Sequence, residues 1–194
     1  LKGTSSAELS KRLLVEICRE KGLSASAIYQ WNNRLLVYAS TNEANGLMRQ
    51  IKERIKDAEV KLYTDVFYKF ERKKHCGQEP VKEWDNIILS TNLVSDEKMQ
   101  KEYLDYHATQ FEKWPEVSKG FCNADFQQLR IFKHGRQLML VISIPKGADL
   151  DKLNPRTSLN NPRVDDWNNL MKKYQVGIEG TKPDEVWVFF NKNN

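Results

Sequence analysis

A histidine and a tyrosine one helical turn apart are the residues of this chain whose types and spacing could do chemistry. Tyr103 and His107 stand at positions i and i+4, so both side chains fall on one face of a helix. An imidazole, with an ordinary pKa of about 6.5, gives and takes a proton near neutral pH. The pair therefore predicts proton transfer, with the phenol donating a hydrogen bond or orienting the ring. The alternative is a histidine that only satisfies its hydrogen bonds within a helix.

The pair lies in a segment, Glu97 to Pro115, whose pattern predicts an amphipathic helix. Its inward face carries aromatic and polar groups where an ordinary core stripe carries Leu, Ile and Val. This ladder consists of Met99, Tyr103, His107 and Phe111, with Tyr106 and Gln110 on the neighbouring ridge. Such a face suits a wet pocket as well as a dry core. Pro115 ends the helix and biases Trp114 away from helical geometry, so we expect a turn to direct the indole.

Composition and charge are those of a folded domain with a core of its own. Of 194 residues, 40% are hydrophobic and 29% are charged. The net charge of +5 comes from 31 basic and 26 acidic residues, which are interleaved. The densest basic run, Arg72 to His75, is short and flanked by acidic residues, which indicates a solvated face. No apolar run approaches the roughly 20 residues that cross a bilayer. Neither a nucleic acid nor a membrane is an expected partner.

The cysteines predict reduced thiols and a cytoplasmic protein. Cys18, Cys76 and Cys122 are an odd number, widely spaced and without a CxxC motif, so neither a disulfide framework nor a zinc site is expected. One disulfide in an exported chain stays open as the alternative. The sequence opens without a methionine, which is compatible with a processed N-terminus. The sequence lacks HExxH, GxSxG, P-loop and GxGxxG signatures, and we expect no cofactor and no metal.

The helices and strands that must position Tyr103 and His107 occur in two similar orders, one in each half of the chain. The first half predicts helix, strand, strand, helix and strand, and the second half predicts strand, helix, strand, strand, helix and strand. Segments 27–39 (AIYQWNNRLLVYA) and 130–142 (RIFKHGRQLMLVI) superimpose at a constant offset of 103. This similarity predicts an internal repeat, and with it an α+β protein whose two antiparallel sheets pack face to face.

The predicted domains follow from the two series. Residues 1–75 form a first, degenerate repeat, which lacks an opening strand and the ladder and is therefore expected to be structural. Residues 76–83, with Gly77 and Pro80, form a linker. Residues 84–194 form the second repeat, in which we expect any site to lie.

Four motifs of the second half resemble, together and in order, the L-rhamnose mutarotase family. They are Y-x-x-x-H followed by W-P, the hairpin QLRIFKHGRQLMLVIS, P-R-x-x-x-W and a final E-V-aromatic strand that begins at Glu185. Family members are small ferredoxin-like α+β proteins that interconvert the anomers of a deoxy sugar without a cofactor. They usually act as dimers. For this chain the resemblance therefore implies two ferredoxin-like repeats that form a pseudo-dimeric α+β barrel, as a monomer or as a further homo-oligomer.

The resemblance also implies roles for individual residues. His107 is expected to shuttle the proton that opens the sugar ring, with Tyr103 as its catalytic partner. The residues expected to bind the sugar are Trp114, Trp167, Tyr106, Gln128 and Glu185. Each has a plainer alternative: the tryptophans suit a core, Tyr106 suits an exposed position, and Glu185 suits a salt bridge at the end of a strand.

The expected binding wall departs from the family pattern. A single Trp167 stands next to Asn168 where a tryptophan pair is common, and Gln128 or Leu129 takes the place of a usual tyrosine. The segment between the histidine and the W-P motif is also longer. The expected function is a mutarotase that acts on L-rhamnose or a similar deoxy sugar by acid/base ring opening. The alternative is a non-catalytic carbohydrate-binding or regulatory module on the same scaffold.

Overall fold

The computed structural model describes residues 6–56 and 58–192, without the side chain of Ser6. Residues 1–5, 57, 193 and 194, which the predicted domain ranges include, lie outside the described residues. The helices are α1 (Ser6–Glu20), α2 (Ala44–Arg54), α3 (Arg72–Cys76), α4 (Glu97–Ala108), α5 (Gln110–Lys113), α6 (Pro115–Asn123), α7 (Leu150–Leu153) and α8 (Pro162–Lys172). The strands are β1 (Ile28–Trp31), β2 (Arg34–Val37), β3 (Val66–Glu71), β4 (Trp84–Leu93), β5 (Gln128–His134), β6 (Gln137–Pro145), β7 (Gln175–Val176) and β8 (Val188–Lys192).

The chain forms two compact units, Leu1–Leu62 with Phe190–Asn194, and Tyr63–Phe189. In each unit helices accompany strands that pair antiparallel. The predicted α+β class with antiparallel sheets is therefore confirmed. The pseudo-dimeric arrangement of two repeats stays a prediction. No helix of the described ranges is long and apolar enough to cross a membrane.

The first unit packs α1 against the hairpin of β1 and β2. Its core is aliphatic, with Leu14 and Cys18 of α1 buried beside Ile28 of β1. These α1 residues are four positions apart and therefore face the hairpin together. Arg54 at the end of α2 bonds Glu16 and Glu20 of α1 at 2.8–3.0 Å, which fixes the second helix beside the first.

The second unit contains a sheet in the order β3, β5, β6 and β4, with the short β7 on the far side of β4. Phe70, Leu129 and Ile142 are register neighbours on β3, β5 and β6, so they share one face of the sheet. All three belong to the same core as Tyr103 of α4 and Trp167 of α8. The helices therefore cover this face, and α4 presents its ladder to it.

The two hairpins have the same register at the predicted offset. In the first, Ile28 pairs with Val37 and Trp31 with Arg34, and the second repeats these pairs 103 residues later. Each hairpin closes with a two-residue turn whose first residue has a positive φ, 50° at Asn32 and 57° at Gly135. Both residue types tolerate this left-handed geometry. The hairpins are thus alike in backbone, while a tandem repeat of the whole unit stays a prediction.

β3 lies in a different unit from the one that the sequence analysis gave it. The strand was assigned to the first repeat, but its register partners are the residues of β5, from Val66 opposite Phe132 to Glu71 opposite Gln128. The division between the units accordingly falls at residue 62, ahead of the predicted linker at 76–83. Composition predicts a strand in this part of the chain, but it contains no information about which strand will be its neighbour.

The first residue of the predicted linker, Cys76, forms a disulfide. Cys76, the last residue of α3, forms a disulfide with Cys122 of α6, 46 residues further on. The prediction of reduced cysteines was therefore wrong for this pair, while Cys18 is free and buried. Sequence spacing could not reveal the bond, because the two residues meet only through the packing of α3 against α6.

The predicted helix from Glu97 to Pro115 divides into two. α4 ends at Ala108, the backbone of Thr109 departs from helical geometry at φ −105° and ψ 6°, and α5 runs from Gln110 to Lys113. The stop at the W-P motif is confirmed: Trp114 departs from helical geometry at φ −135° and ψ 51°, and Pro115 begins α6, a helix that the sequence analysis missed. Proline is well suited to the first position of a helix, where its missing N–H has no role.

Candidate functional site

Helix α4 brings the predicted pair to the buried side of the second unit. The helix begins with Asp96, whose carboxylate accepts a hydrogen bond from the backbone N–H of Met99 at 2.8 Å. Two turns later Tyr103 is 1% exposed and His107 is 5% exposed. Their rings lie side by side, with centroids 4.3 Å apart. The ladder therefore lies in the helix–sheet core, and the chemistry that it can support depends on which polar atoms there remain available.

His107 is a neutral imidazole with a defined tautomer. Its Nδ1 lies 2.9 Å from the backbone carbonyl oxygen of Tyr103. A carbonyl oxygen can only accept, so Nδ1 must hold the proton and Nε2 must carry the lone pair. Burial lowers the pKa of His107 to about 4, outweighing the hydrogen bond to Tyr103, which acts in the opposite direction. Among the described residues Nε2 makes no hydrogen bond, so it is available as a proton acceptor.

Tyr103 presents the complementary group, a proton donor. Its hydroxyl oxygen accepts a hydrogen bond from Nε2 of Gln175 at 3.3 Å, and Oε1 of that glutamine accepts one from Nε1 of Trp187 at 3.1 Å. Within the described ranges the phenolic proton has no acceptor. Burial raises the pKa of Tyr103 well above its ordinary value, so the phenol keeps its proton. The rings of a proton acceptor and a proton donor, neither of which has a partner for that role among the described residues, thus lie side by side.

Four aromatic rings enclose His107, and we call them the aromatic cage. They are those of Phe67, Tyr68, Tyr103 and Trp167, with centroids 4.3–5.7 Å from the imidazole. Phe67 and Tyr68 come from β3, and the sequence analysis did not place them in the site. Consecutive strand residues normally point to opposite faces, but a register shift between Val66 and Tyr68 interrupts the alternation at this point. No local sequence signal marks this arrangement.

A chain of hydrogen bonds supports one side of the cage. The hydroxyl of Tyr68 donates to Oε1 of Gln110 at 2.8 Å, and Nε2 of that glutamine donates to the carbonyl oxygen of Trp114 at 2.8 Å. The Trp114 ring then packs edge-on against Trp167 at 5.5 Å. On its other side the guanidinium of Arg163 lies 3.9 Å from the indole centroid. The turn that follows α5 therefore aims Trp114 at the cage, as expected.

Tyr106 also reaches this cluster from the neighbouring ridge of α4. Its ring lies 6.5 Å from Trp167 and 6.0 Å from Tyr174. The structure thus brings together five of the predicted site residues, which are Tyr103, Tyr106, His107, Trp114 and Trp167.

Gln128 and Glu185, the other two predicted site residues, lie elsewhere. Gln128 is adjacent to Leu129, a residue of the helix-covered core, and so projects from the opposite face of the sheet. There its Nε2 donates to Oγ of Ser143 at 3.0 Å. Glu185 is exposed in a loop and accepts a hydrogen bond from the backbone N–H of Lys182 at 3.2 Å. Strand β8 starts only at Val188, so Glu185 does not open it as predicted.

Two clefts of the second unit lie away from the cage. Their volumes are about 570 and 690 Å³, both run along α6, and neither is lined by His107 or Tyr103. We base the site on the cage, because the groups able to transfer protons are there. No group of three or more His, Cys, Asp or Glu side chains in the described part of the chain could hold a metal ion.

Comparison with known proteins identifies the family of the chain. The family model described as L-rhamnose mutarotase matches residues 87–192, more than half of the chain. The chain belongs to the L-rhamnose mutarotase family. Such enzymes are isomerases that act on sugar anomers, so the predicted enzyme class is confirmed at this level. The matched range includes α4, the W-P motif and Trp167 of the mutarotase fold, but it does not include β3.

Two relatives are informative. An L-fucose mutarotase of Xanthomonas campestris pv. campestris is 29% identical over 97 residues, which are 50% of this chain and 75% of the relative. A protein of Dictyostelium discoideum, named only as a UPF0734 protein, is 31% identical over 107 residues, which are 54% of this chain and 81% of the relative. Both alignments cover about half of this chain.

Proposed function

We propose that this protein interconverts the α and β anomers of a 6-deoxy sugar, L-rhamnose or L-fucose, by acid/base ring opening. The observation that supports this best is the adjacency of the His107 and Tyr103 rings, 4.3 Å apart, of which one carries a lone pair on Nε2 and the other a phenolic proton. Opening a pyranose requires a base at the anomeric hydroxyl and an acid at the ring oxygen. Those two oxygens are bonded to the same carbon, so the two groups must also be neighbours.

In the proposed step His107 removes the proton of the anomeric hydroxyl while Tyr103 donates its proton to the ring oxygen. The bond between the anomeric carbon and the ring oxygen breaks, and an open-chain aldehyde forms. Rotation about the adjacent carbon–carbon bond turns the other face of the carbonyl toward the C5 hydroxyl. Ring closure then returns both protons: the phenolate recovers its own, and the imidazolium protonates the carbonyl oxygen. Atoms and charges balance, and no cofactor takes part.

Burial makes simultaneous transfer of the two protons the favourable route. An isolated imidazolium is disfavoured in the cage, since the pKa of His107 is lowered to about 4. An isolated phenolate is disfavoured as well, since burial raises the pKa of Tyr103. When both protons move together, neither charge develops alone. The indoles of Trp114 and Trp167 supply apolar surface for the C–H face of a sugar, and Tyr106 adjoins them.

Partners and compartment belong to the same proposal. A monosaccharide is the partner, and the chain works as a pseudo-dimeric monomer or as a further homo-oligomer. Location in the cytoplasm requires the Cys76–Cys122 bond to persist against cellular thiols, whereas disulfides generally persist in oxidising compartments. Alkylation of thiols at the moment of cell lysis, followed by intact-mass measurement, shows whether Cys76 and Cys122 are bonded in the cell. Reduced cysteines indicate the cytoplasm, and bonded ones indicate an oxidising compartment.

A non-catalytic carbohydrate-binding module is the second candidate. The burial of His107 favours it, because a sugar must displace a ring of the cage before it can reach Nε2. This module retains the same sugar-binding wall but does not speed the exchange of anomers. Both candidates therefore predict binding of a monosaccharide and differ only in rate.

The deciding experiment is saturation-transfer NMR between the α and β anomeric protons of L-rhamnose and of L-fucose. We expect the wild type to accelerate exchange over buffer with at least one of the sugars. The His107→Gln variant is expected to lose at least about a hundredfold of this acceleration, since general-base catalysis contributes at least that much. His134→Gln, which changes an exposed histidine at the hairpin turn, is the matched control and is expected to retain it.

Exchange at the buffer rate with wild type and both sugars overturns the mutarotase proposal. Binding of either sugar under those conditions, measured by calorimetry, supports the carbohydrate-binding module instead. Equal losses in the His107→Gln and His134→Gln variants contradict the role of His107.

A further inference from the structure

Phe67 has a position that no other ring of the described residues shares. Its centroid lies 5.7 Å from that of His107 and 6.2 Å from that of Tyr103, edge-on to both. The rings of Tyr68 and Trp167 pair with that of His107 and not with that of Tyr103, and the ring of Tyr174 pairs with that of Tyr103 and not with that of His107. Phe67 therefore borders the proposed base and the proposed acid together.

Phe67 is also the most accessible member of the cage. Tyr68, Tyr103 and Trp167 are each buried, whereas Phe67 is half-buried. It lies at the register shift near the start of β3, where backbone pairing with β5 is irregular. A ligand that approaches His107 from solvent therefore meets the Phe67 ring first.

The proposed function fixes which part of a sugar Phe67 must face, and the present inference rests on it. The anomeric hydroxyl points to His107 and the ring oxygen points to Tyr103. In a pyranose the ring oxygen is bonded to C5, and C5 carries a methyl group in a 6-deoxy sugar or a hydroxymethyl group in the parent hexose. Because Phe67 contacts Tyr103 as well as His107, its Tyr103 side lies within reach of the C5 substituent of a sugar bound in this way.

The surroundings of Phe67 favour a methyl group in that place. Two side-chain amides that bond to the cage already use both their oxygen and their nitrogen: Gln110 bonds Tyr68 and Trp114, and Gln175 bonds Tyr103 and Trp187. A hydroxymethyl group placed against the Phe67 ring therefore buries a hydroxyl without a committed partner, which disfavours binding.

We propose that Phe67 determines specificity by selecting sugars for a methyl rather than a hydroxymethyl group at C5. Because β3 lies outside the range that matches the family, this selection uses a residue supplied by the chain that precedes the mutarotase fold. An apolar contact discriminates against an added hydroxyl by about ten- to a hundredfold.

The test compares sugars that differ only at C6, L-rhamnose with L-mannose and L-fucose with L-galactose. For wild type we expect anomer exchange to be accelerated about ten- to a hundredfold more for the deoxy member of the accepted pair. In Phe67→Ala this ratio is expected to fall to within about threefold, because the hydroxymethyl group gains room and water. Phe67→Leu, which keeps an apolar side chain, is expected to restore most of the ratio.

Phe189→Ala is the matched control, because it removes a 49% exposed phenylalanine of the same unit that has no ring contact with His107. In this variant the ratio of anomer exchange between the deoxy sugar and its parent hexose is expected to equal that of wild type. Near-ultraviolet circular dichroism identifies a variant that has lost its packing, and Phe67→Leu then replaces Phe67→Ala as the test, with a smaller expected fall.

Calorimetric affinities for the same sugars keep this inference separate from the proposed function. If wild type exchanges no anomers but binds the deoxy sugar preferentially, and Phe67→Ala loses the preference, then the catalytic proposal fails and the role of Phe67 stands. A folded Phe67→Ala variant with the wild-type ratio overturns the role of Phe67 alone. A wild type that binds none of the four sugars overturns both.

Discussion

The two units use the same hairpin for different purposes. β1 with β2 and β5 with β6 have identical registers at an offset of 103 residues. In the first unit the helix that packs nearby contributes Leu14 and Cys18 to an aliphatic core. In the second unit α4 contributes Tyr103 and His107 to an aromatic one. The backbone is therefore compatible with either interior, and the chemistry comes from the side chains of the helix.

The two cores also differ in what they contribute, stability in the first unit and a candidate site in the second. An aliphatic interface is sufficient to hold a helix on this hairpin, as the first unit shows. The second unit instead buries an imidazole and lowers its pKa to about 4, which costs free energy wherever the unfolded chain is protonated. A perturbed titratable group beside a complementary donor is typical of functional sites. The following predictions test this contrast, beginning with the largest expected effect.

Tyr103→Phe is expected to reduce the acceleration of anomer exchange by about a hundredfold or more, because it removes the general acid. The free energy of unfolding should fall by only about 1 kcal/mol, since Gln175 loses one acceptor. Tyr29→Phe makes the same change at a buried tyrosine of the first unit and should leave exchange within about twofold of wild type. Saturation-transfer NMR measures both variants. Similar losses of anomer exchange in the two variants would contradict the assignment of the catalytic role to the second unit alone.

Leu14→Ala, a change in the aliphatic core of the first unit, is expected to act on stability alone. Leu14 is 4% exposed, and truncation of such a side chain lowers the free energy of unfolding by about 2–4 kcal/mol. Urea unfolding followed by circular dichroism measures the loss. Exchange by the folded protein at low temperature should remain that of wild type. Loss of exchange without unfolding would show that the first unit has more than a structural role.

His107 makes stability depend on pH between its folded and unfolded pKa values. The folded pKa is about 4 and the unfolded value is about 6.5, so the unfolded chain binds more protons between them. Stability is therefore complete above pH 6.5 and declines by up to about 3 kcal/mol as pH falls toward 4. His107→Gln should lack this decline, while carboxylates contribute equally to both proteins. Urea unfolding midpoints of wild type and His107→Gln, measured from about pH 7 to about pH 4.5, test this prediction. Midpoints that fall in parallel in the two proteins would contradict it.

The smallest expected difference concerns one cation–π pair in each unit. Arg163 lies 3.9 Å from the Trp114 centroid, whereas Arg34 lies 6.0 Å from that of Trp31. Arg163→Gln should lower the free energy of unfolding by about 0.5–1 kcal/mol, and Arg34→Gln by less, because 6 Å is about the limit of the interaction. Urea unfolding of the two variants measures the difference. An equal or larger effect at Arg34 would rule out distance as the cause.

Local patterns predicted the elements well. Strand β4 begins at Trp84, where the second repeat was predicted to begin with a strand, and the two hairpins occur within the segments 27–39 and 130–142 that were predicted to be alike. Alternation and turn residues act over a few positions and are therefore legible in one sequence. The partner of β3 and the bond between Cys76 and Cys122 depend on contacts between distant segments, and local patterns do not encode these.

The candidate site was predictable where it depends on a single helix and the turn after it. Tyr103, His107 and Trp114 follow from the spacing within α4 and from the proline that ends α5. Phe67 was not predictable, since it reaches the cage only through the pairing of β3 with β5. Gln128 was misplaced because side chains alternate between the two faces of a strand. It is one position from Leu129, which faces α4, so the side chain of Gln128 faces away from that helix.

The bond between Cys76 and Cys122 makes a closed ring of the chain from 76 to 122, and all of α4 lies inside that ring. A protease that cuts within it, for example after the exposed Lys101, opens the ring without releasing either part. The nicked protein keeps its mass, apart from one added water, until a thiol reduces the bond. Tyr103 and His107 therefore remain covalently attached to both halves of their scaffold after a single cleavage of the backbone.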